Sequence, residues 1–163
     1  MNRLALVTGG NRGIGLEIAR QLAKVGNVVI LGARNMKLGE GAAKTISSPT
    51  TEVLPAELDV TKEATIKKLV EKIDSDFGRL DILVNNAGIL IDESDLPGET
   101  KLEVIRNTLE TNLIGPWRLC QAFLPLMKRN KYGRIVNVSS GAGPYPKCRK
   151  ASTLQRTAFQ RQP

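Results

Sequence analysis

The sequence predicts an α/β domain, a doubly wound parallel sheet of about five strands, and three observations carry that reading. Short runs of Val, Ile and Leu alternate with longer segments of helical spacing. Those runs are apolar throughout rather than alternating, as strands covered on both faces require. A glycine-rich turn joins the first run to the first helical segment. Repeated strand–helix alternation builds a parallel sheet with right-handed crossovers and helices on both faces.

The strand runs are Leu4–Val7, Val28–Leu31, Val53–Leu54, Ile82–Val84 and Ile135–Val138, the last extending back to Arg134. Between the first two, Ile14, Ile18, Leu22 and Val25 recur at helical spacing and stop at Gly26. The clearest amphipathic pattern is Ile66, Leu69, Val70, Ile73 and Phe77, with Thr61 as the expected N-cap and Gly78 as the stop. A long helical stretch covers roughly Thr100–Lys131 and is interrupted near Gly115–Pro116. Within it Cys120 and Trp117 read as packing residues. Pattern quality collapses after Gly143: residues 144–163 hold one large aliphatic side chain, Leu154, and no periodicity. The expected organisation is one domain over 1–143 and a disordered basic tail over 144–163.

At 163 residues, 41% hydrophobic and 25% charged, the chain has the size and composition of one soluble domain. No run of about eighteen apolar residues is present, so no membrane span is expected. The start, Met1-Asn2-Arg3-Leu4, enters a strand directly and reads as free of a signal or transit segment. Cys120 and Cys148 make no disulfide framework, which points to a reduced, cytoplasmic setting. With no histidine, histidine-based acid–base catalysis and most zinc sites are excluded, and no metal is expected. The net charge of +8 raises the question of nucleic acid. Its distribution answers that question: Lys147, Arg149, Lys150, Arg156 and Arg161 lie in the tail, leaving 19 basic against 16 acidic residues in 1–143. The body of the domain is nearly balanced, and no nucleic-acid partner is expected.

The chemistry concentrates at the carboxyl ends of the strands, where ligands bind in such sheets. The first strand leads into Thr8-Gly9-Gly10-Asn11-Arg12-Gly13-Ile14-Gly15. Glycines there permit a tight turn, close approach of backbone to a pyrophosphate, and close strand–helix packing. The N-terminus of the following helix presents free N–H groups and the positive end of its dipole to an anion. The second strand ends in Leu31-Gly32-Ala33-Arg34, without the acidic residue that would bind a ribose 2′-hydroxyl. Arg34 and Arg12 instead suit a 2′-phosphate, so NADP(H) is favoured over NAD(H).

Together with Asp59-Val60, Asn85-Asn86-Ala87-Gly88, Asn112 and Asn137-Val138-Ser139-Ser140, this Rossmann-type turn resembles the short-chain dehydrogenase/reductases. Their NADPH-dependent, carbonyl-reductase-like branch is the nearest likeness, over residues 3–143. The resemblance implies an oxidoreductase that reduces a small carbonyl compound or oxidises an alcohol. It implies that Asp59 and Val60 contact the adenine, and that Asn86, Ala87 and Gly88 line the ribose and steady the sheet. It implies catalytic roles for Asn112, which would hold a relay water, and for Ser140, which would bind the substrate carbonyl. Complete members are usually homo-oligomers, and the Thr100–Lys131 stretch resembles their dimer-forming region. The alternative is a non-catalytic dinucleotide-binding module.

One departure matters. The family's proton donor is a tyrosine, its pKa lowered by a lysine four residues later, and no Tyr-x-x-x-Lys occurs here. Tyr145 has Arg149 at that spacing and follows Ser140 by only five residues. Back-translation of Arg156–Pro163, read from the third base of the Arg156 codon, permits Tyr-Ser-Val-Ser-Lys-Ala-Ala. The same frame over Lys150–Gln155 permits Gly-Leu-Asn-Ala-Pro-Ala. The expectation is a frameshift near codons 143–144, with the family's later strands and helices missing. As written, the chain is expected to be inactive, and its fifth strand becomes a bare apolar edge that weakens stability and invites aggregation.

Overall fold

The computed structural model describes residues 2–90 and 100–139. Five parallel strands, β1 (Leu4–Thr8), β2 (Val28–Ala33), β3 (Val53–Glu57), β4 (Ile82–Asn85) and β5 (Arg134–Asn137), form one sheet in the order β3-β2-β1-β4-β5. The helices are α1 (Gly13–Lys24), α2 (Met36–Ile46), α3 (Glu63–Phe77), α4 (Leu102–Leu109) and α5 (Gly115–Arg129). Chain order reverses between β1 and β4, which is the switch point where a crevice opens. This is the doubly wound α/β architecture that the strand–helix alternation predicts.

Register follows from the apolar runs. Leu4 pairs with Val28 and Val7 with Leu31, while Leu6 pairs with Leu83 on the other side. Every residue of β1 is buried, because it lies at the centre of the sheet with helices above and below. One face packs Ala5, Val7, Val29, Leu31 and Val84 against α1 and α2. The other packs Leu4, Leu6, Ile30 and Leu83 against Ile66, Leu69 and Ile73 of α3 and Leu119 and Phe123 of α5. At the amino end of the sheet, buried Asp81 accepts the Leu4 N–H at 2.8 Å and pairs with Arg79 Nε at 3.3 Å, so the carboxylate is satisfied.

Several local expectations change. The buried face of α1 is Gly15, Ala19 and Ala23, with Ile18 and Leu22 flanking it; Ile14 and Val25 are 66% and 74% exposed. Small residues win that face because they let the helix axis approach the sheet. Gly26 ends the helix as expected, with φ +87° and its N–H donated to the Ala23 carbonyl. Thr61 is not the cap of α3: Lys62 holds that place, and the Thr61 hydroxyl donates to Asp59 Oδ1 at 2.7 Å. Gly78 does stop α3, in the left-handed region, with its N–H bonded to the Asp74 carbonyl. β3 runs on through Pro55 to Glu57. The break in the long helical stretch is a π-helical turn, Glu110–Ile114, immediately before Gly115. Trp117 is not a packing residue: it is 64% exposed, on the opposite face of α5 from Leu119 and Phe123. Cys120 is half-buried against the core.

Candidate functional site

A groove of about 530 Å³ opens at the carboxyl ends of β1, β2, β3 and β4. It brings together Gly9, Asn11, Arg12, Gly13, Ile14 and Gly15 from the first turn, Arg34 from the end of β2, Asp59 and Val60 from the end of β3, and Asn86, Ala87 and Gly88 from the end of β4. Thr8 lies behind the lining, buried at the end of β1. Asn112 stands beside the groove on the π turn, next to Thr111, which lines it. Ser140 lies outside the described residues, as do Tyr145 and the tail.

The turn is held open by a clip between strand ends. Thr8 Oγ1 accepts the N–H groups of Asn86, at 3.0 Å, and Ala87, at 2.9 Å. In return the Asn86 side-chain amide donates to the carbonyls of Thr8, at 2.9 Å, and Gly9, at 3.3 Å. Each such bond contributes about 1 kcal/mol net, and losing a partner inside the protein costs more than that. A Cβ on Gly15 would overlap the Asn86 amide and lie 2.5 Å from the Gly9 carbonyl oxygen, so only glycine fits beneath the clip. Gly13 differs: its φ of +56° favours glycine, yet a Cβ there would meet nothing within 4 Å, because this residue borders open groove.

Arg12 is the N-cap of α1 and makes no side-chain capping bond. Among the described residues no side chain accepts from the first-turn N–H groups of α1, the condition under which a helix N-terminus takes an anion. Arg12 and Arg34 are both exposed, and among the described residues neither has an ion-pair partner. Asp59 is the groove's carboxylate. Burial pushes its pKa up, but the Thr61 hydroxyl and N–H, with the charges of Lys62 and Arg34, outweigh burial and hold it below the ordinary value. These features fit a dinucleotide phosphate: backbone donors, two guanidinium groups without an ion-pair partner among the described residues, and a floor that only glycine can form.

On the far side, Asn112 Oδ1 accepts the Ile89 N–H at 2.9 Å and its Nδ2 donates to the Ile89 carbonyl at 2.8 Å. Its side chain thus fastens the segment after β4 to the π turn. The residue four further on is Pro116, which has no N–H, so the Asn112 carbonyl lacks its α-helical donor. Asn85, 4% exposed, donates to Asn137 Oδ1 at 2.8 Å and lies 3.7 Å from Cys120 Sγ; its own Oδ1 has no hydrogen-bond partner among the described residues.

Sequence reasoning passed over Asn35, Leu38, Leu58, Thr61, Ile89 and Thr111, which also line the groove. Asn35 carried a readable signal, an Asn directly after a strand: its side chain caps α2 by accepting the Leu38 N–H at 3.2 Å. Leu38 and Ile89 carried none, since their place depends on how α2 and the β4 segment pack.

A glycine-rich β1–α1 turn at the switch point of a 3-2-1-4-5 sheet defines a Rossmann-type α/β domain. The family model for short chain dehydrogenases matches residues 3–152, and the chain belongs to that family. It is 42% identical over 161 residues to (+)-neomenthol dehydrogenase of Arabidopsis thaliana, covering 86% of this chain and 54% of that protein. It is 37% identical over 141 residues to carbonyl reductase (NADPH) 3 of Homo sapiens, covering 85% and 49%. Among solved structures, a metagenomic short-chain oxidoreductase in complex with NADP superposes with a TM-score of 0.80 at 28% identity, over 95% of this chain and 77% of that one. A short-chain dehydrogenase from Streptomyces avermitilis gives 0.75 at 32% identity, over 85% and 49%. The chain spans about half the length of the curated relatives it matches. Among the described residues, no helix is long and apolar enough to cross a membrane.

Proposed function

We propose that this chain holds NADP(H), in preference to NAD(H), as the cofactor-binding part of an enzyme that reduces a ketone or aldehyde to an alcohol, or runs the reverse. The observation that carries the reading is the N-terminus of α1, without a side-chain cap, beside the guanidinium groups of Arg12 and Arg34, neither ion-paired among the described residues. The relative solved with NADP and the relative named an NADPH carbonyl reductase support it.

In this reading Gly13, Ile14 and Gly15 donate N–H groups to the pyrophosphate, and Thr8 and Asn86 keep the turn in shape. Gly9 and Asn11 complete the turn, while Arg12 and Arg34 bind the 2′-phosphate as charged, multidentate donors. Asp59 stays ionised near neutral pH and, with Val60, bounds the adenine end. Asn86, Ala87 and Gly88 line the ribose. When bound, the nicotinamide supplies a hydride to the carbonyl carbon. Asn112 keeps its side chain on Ile89 and offers its backbone carbonyl to a relay water, and Ser140 donates a hydrogen bond to the substrate carbonyl. The remaining requirement is a proton donor, and no Tyr-x-x-x-Lys is present. The chain as written is therefore expected to bind NADPH without turnover.

That absence also favours the second reading, a dinucleotide-binding module without catalysis. Two preparations separate them: the chain as written, and one with the frame restored near codon 143 so that Tyr-Ser-Val-Ser-Lys is encoded. Binding in both, with NADPH-dependent carbonyl reduction only in the second, supports the enzyme reading. Binding in both and turnover in neither leaves the module. NADPH binding in neither contradicts both readings.

A further inference from the structure

Gly115 is a glycine that its own backbone does not require. Its φ of −55° is ordinary helix, where alanine would be the better residue. Its N–H donates to the Glu110 carbonyl, five residues back, and that bond closes the π turn. Space accounts for the residue. A Cβ there would lie 2.8 Å from Val60 Cγ2, 3.0 Å from Val60 Cβ and 3.2 Å from the Val60 carbonyl oxygen. The methyl can rotate, but the Cβ and the carbonyl are fixed to the backbone, so a side chain at 115 must push the two segments apart. Gly133 differs: the three nearest neighbours of its would-be Cβ are side-chain atoms of Met127, which adapt.

Val60 lines the groove yet is only 4% exposed, so protein backs it on the far side, and buried Gly115 belongs to that backing. Three residues before Gly115, Asn112 holds Ile89 by both its backbone groups, with Oδ1 on the N–H and Nδ2 on the carbonyl. The π turn is thus fastened twice, by Gly115 to the loop after β3 and by Asn112 to the segment after β4. Both of those segments line the groove. Only Leu113 and Ile114 separate the two fastenings, so a shift at one is felt at the other.

We propose that Gly115 is a positioning residue: it seats the π turn on Val60, and through that contact occupation of the adenine end of the groove holds Asn112 on Ile89. This rests on the NADP(H) reading, in which Val60 bounds the adenine. A ligand that fixes Val60 fixes the glycine packed against it, the turn that the glycine closes, and the asparagine that the turn carries. Binding at the adenine end and order at the relay segment are therefore linked, and the linkage is reciprocal. Gly115 itself touches no reacting atom.

The test is amide exchange at Ile89, followed by NMR on the 163-residue chain, free and saturated with adenosine 2′,5′-bisphosphate. That probe carries the adenine and the 2′-phosphate and has no nicotinamide. The Ile89 N–H is the reporter because Asn112 Oδ1 is its acceptor. In the unsubstituted chain, saturation is expected to slow its exchange at least about fivefold. Gly115→Ala, saturated at a higher concentration, loses that slowing. Val60→Ala opens the same contact without crowding it and also loses the slowing, which keeps the test decisive should Gly115→Ala not fold. In Val60→Ala/Gly115→Ala the methyl group gained at 115 fills the space vacated at 60, and the slowing returns; a merely structural role gives no such rescue. Slowing retained in both single variants overturns the proposal, because the probe would then shield Ile89 directly. Bound probe without slowing in the unsubstituted chain, or a double variant no better than the single ones, overturns it equally. All these outcomes leave the cofactor reading standing. A folded chain that does not bind the probe contradicts that reading, and the proposal with it.

Discussion

The β2–β1 region of the sheet is enclosed on both faces, by α1 and α2 on one side and α3 and α5 on the other, whereas β5 is exposed along its whole length. Both regions contain short runs of β-branched apolar residues, although β5 also carries Arg134 and Asn137. The difference lies in what packs on them. The enclosed region carries the groove, with its clip of Thr8 and Asn86 and its uncapped helix N-terminus. The open region leads from Asn137 towards Ser140, where the reading of the family places the chemistry. The residues that line the groove, and Asn112 beside it, are among the described residues, whereas Ser140 is not.

The largest expected difference between the two regions is in stability. Leu31→Ala, at a fully buried site in β2, is expected to cost about 3 kcal/mol, transfer and cavity terms together. Ile135→Ala, 40% exposed in β5, should cost under about 1 kcal/mol. Urea denaturation of the two variants measures both, and equal losses would mean that β5 is as well enclosed as β2.

Next comes Gly15→Ala. Its Cβ must displace the Asn86 amide or the turn itself, so about 2 kcal/mol of stability should be lost. Nucleotide affinity should fall well beyond what that loss explains, because the helix N-terminus moves. Calorimetric titration with NADPH checks this, and unchanged affinity would place the phosphate site elsewhere.

A smaller effect separates the two arginines from the rest of the groove. Arg34→Ala is expected to weaken NADPH binding by about tenfold, the worth of a charge-assisted hydrogen bond, and NADH binding hardly at all. Equal losses for both nucleotides would remove Arg34 from the 2′-phosphate.

The smallest effect is in pH. The folded-state pKa of Asp59 is lowered, so its contribution to stability is present above its unfolded value, about 3.9, and is lost as pH falls through the folded value. Asp59→Asn should flatten the stability–pH profile in that acid window and change stability near pH 7 by under about 1 kcal/mol. A profile as steep as that of the unsubstituted chain would show that other carboxylates dominate acid unfolding.

Much of this was readable because period and punctuation are local. Continuous apolar runs marked all five strands, and Thr8–Gly15 marked the turn through its place between a strand and a helix. Twelve of the thirteen residues expected to bind cofactor line the groove, and the thirteenth, Thr8, supports it. What escaped was set by packing. Pro55 looked like the end of a strand, but an edge position lets the strand continue. Gly39 and Gly41 disguised α2, because glycine lowers helix propensity while tertiary contacts restore it. Trp117 was misjudged because helical spacing reveals a period and not which face meets the core. The side-chain bonds of Asn112 to Ile89 gave no signal in the sequence, because the two residues lie 23 positions apart. Asn137 and Asn85 lie 52 residues apart, and only the β4–β5 register joins them.

The most direct test of the account is a parallel titration of the 163-residue chain with NADPH and NADH, followed by nicotinamide fluorescence at low ionic strength. NADPH is expected to bind saturably and at least about tenfold tighter than NADH, with the preference abolished in an Arg12→Ala/Arg34→Ala double variant. Tighter binding of NADH, or no binding of either nucleotide to a folded chain, would contradict it.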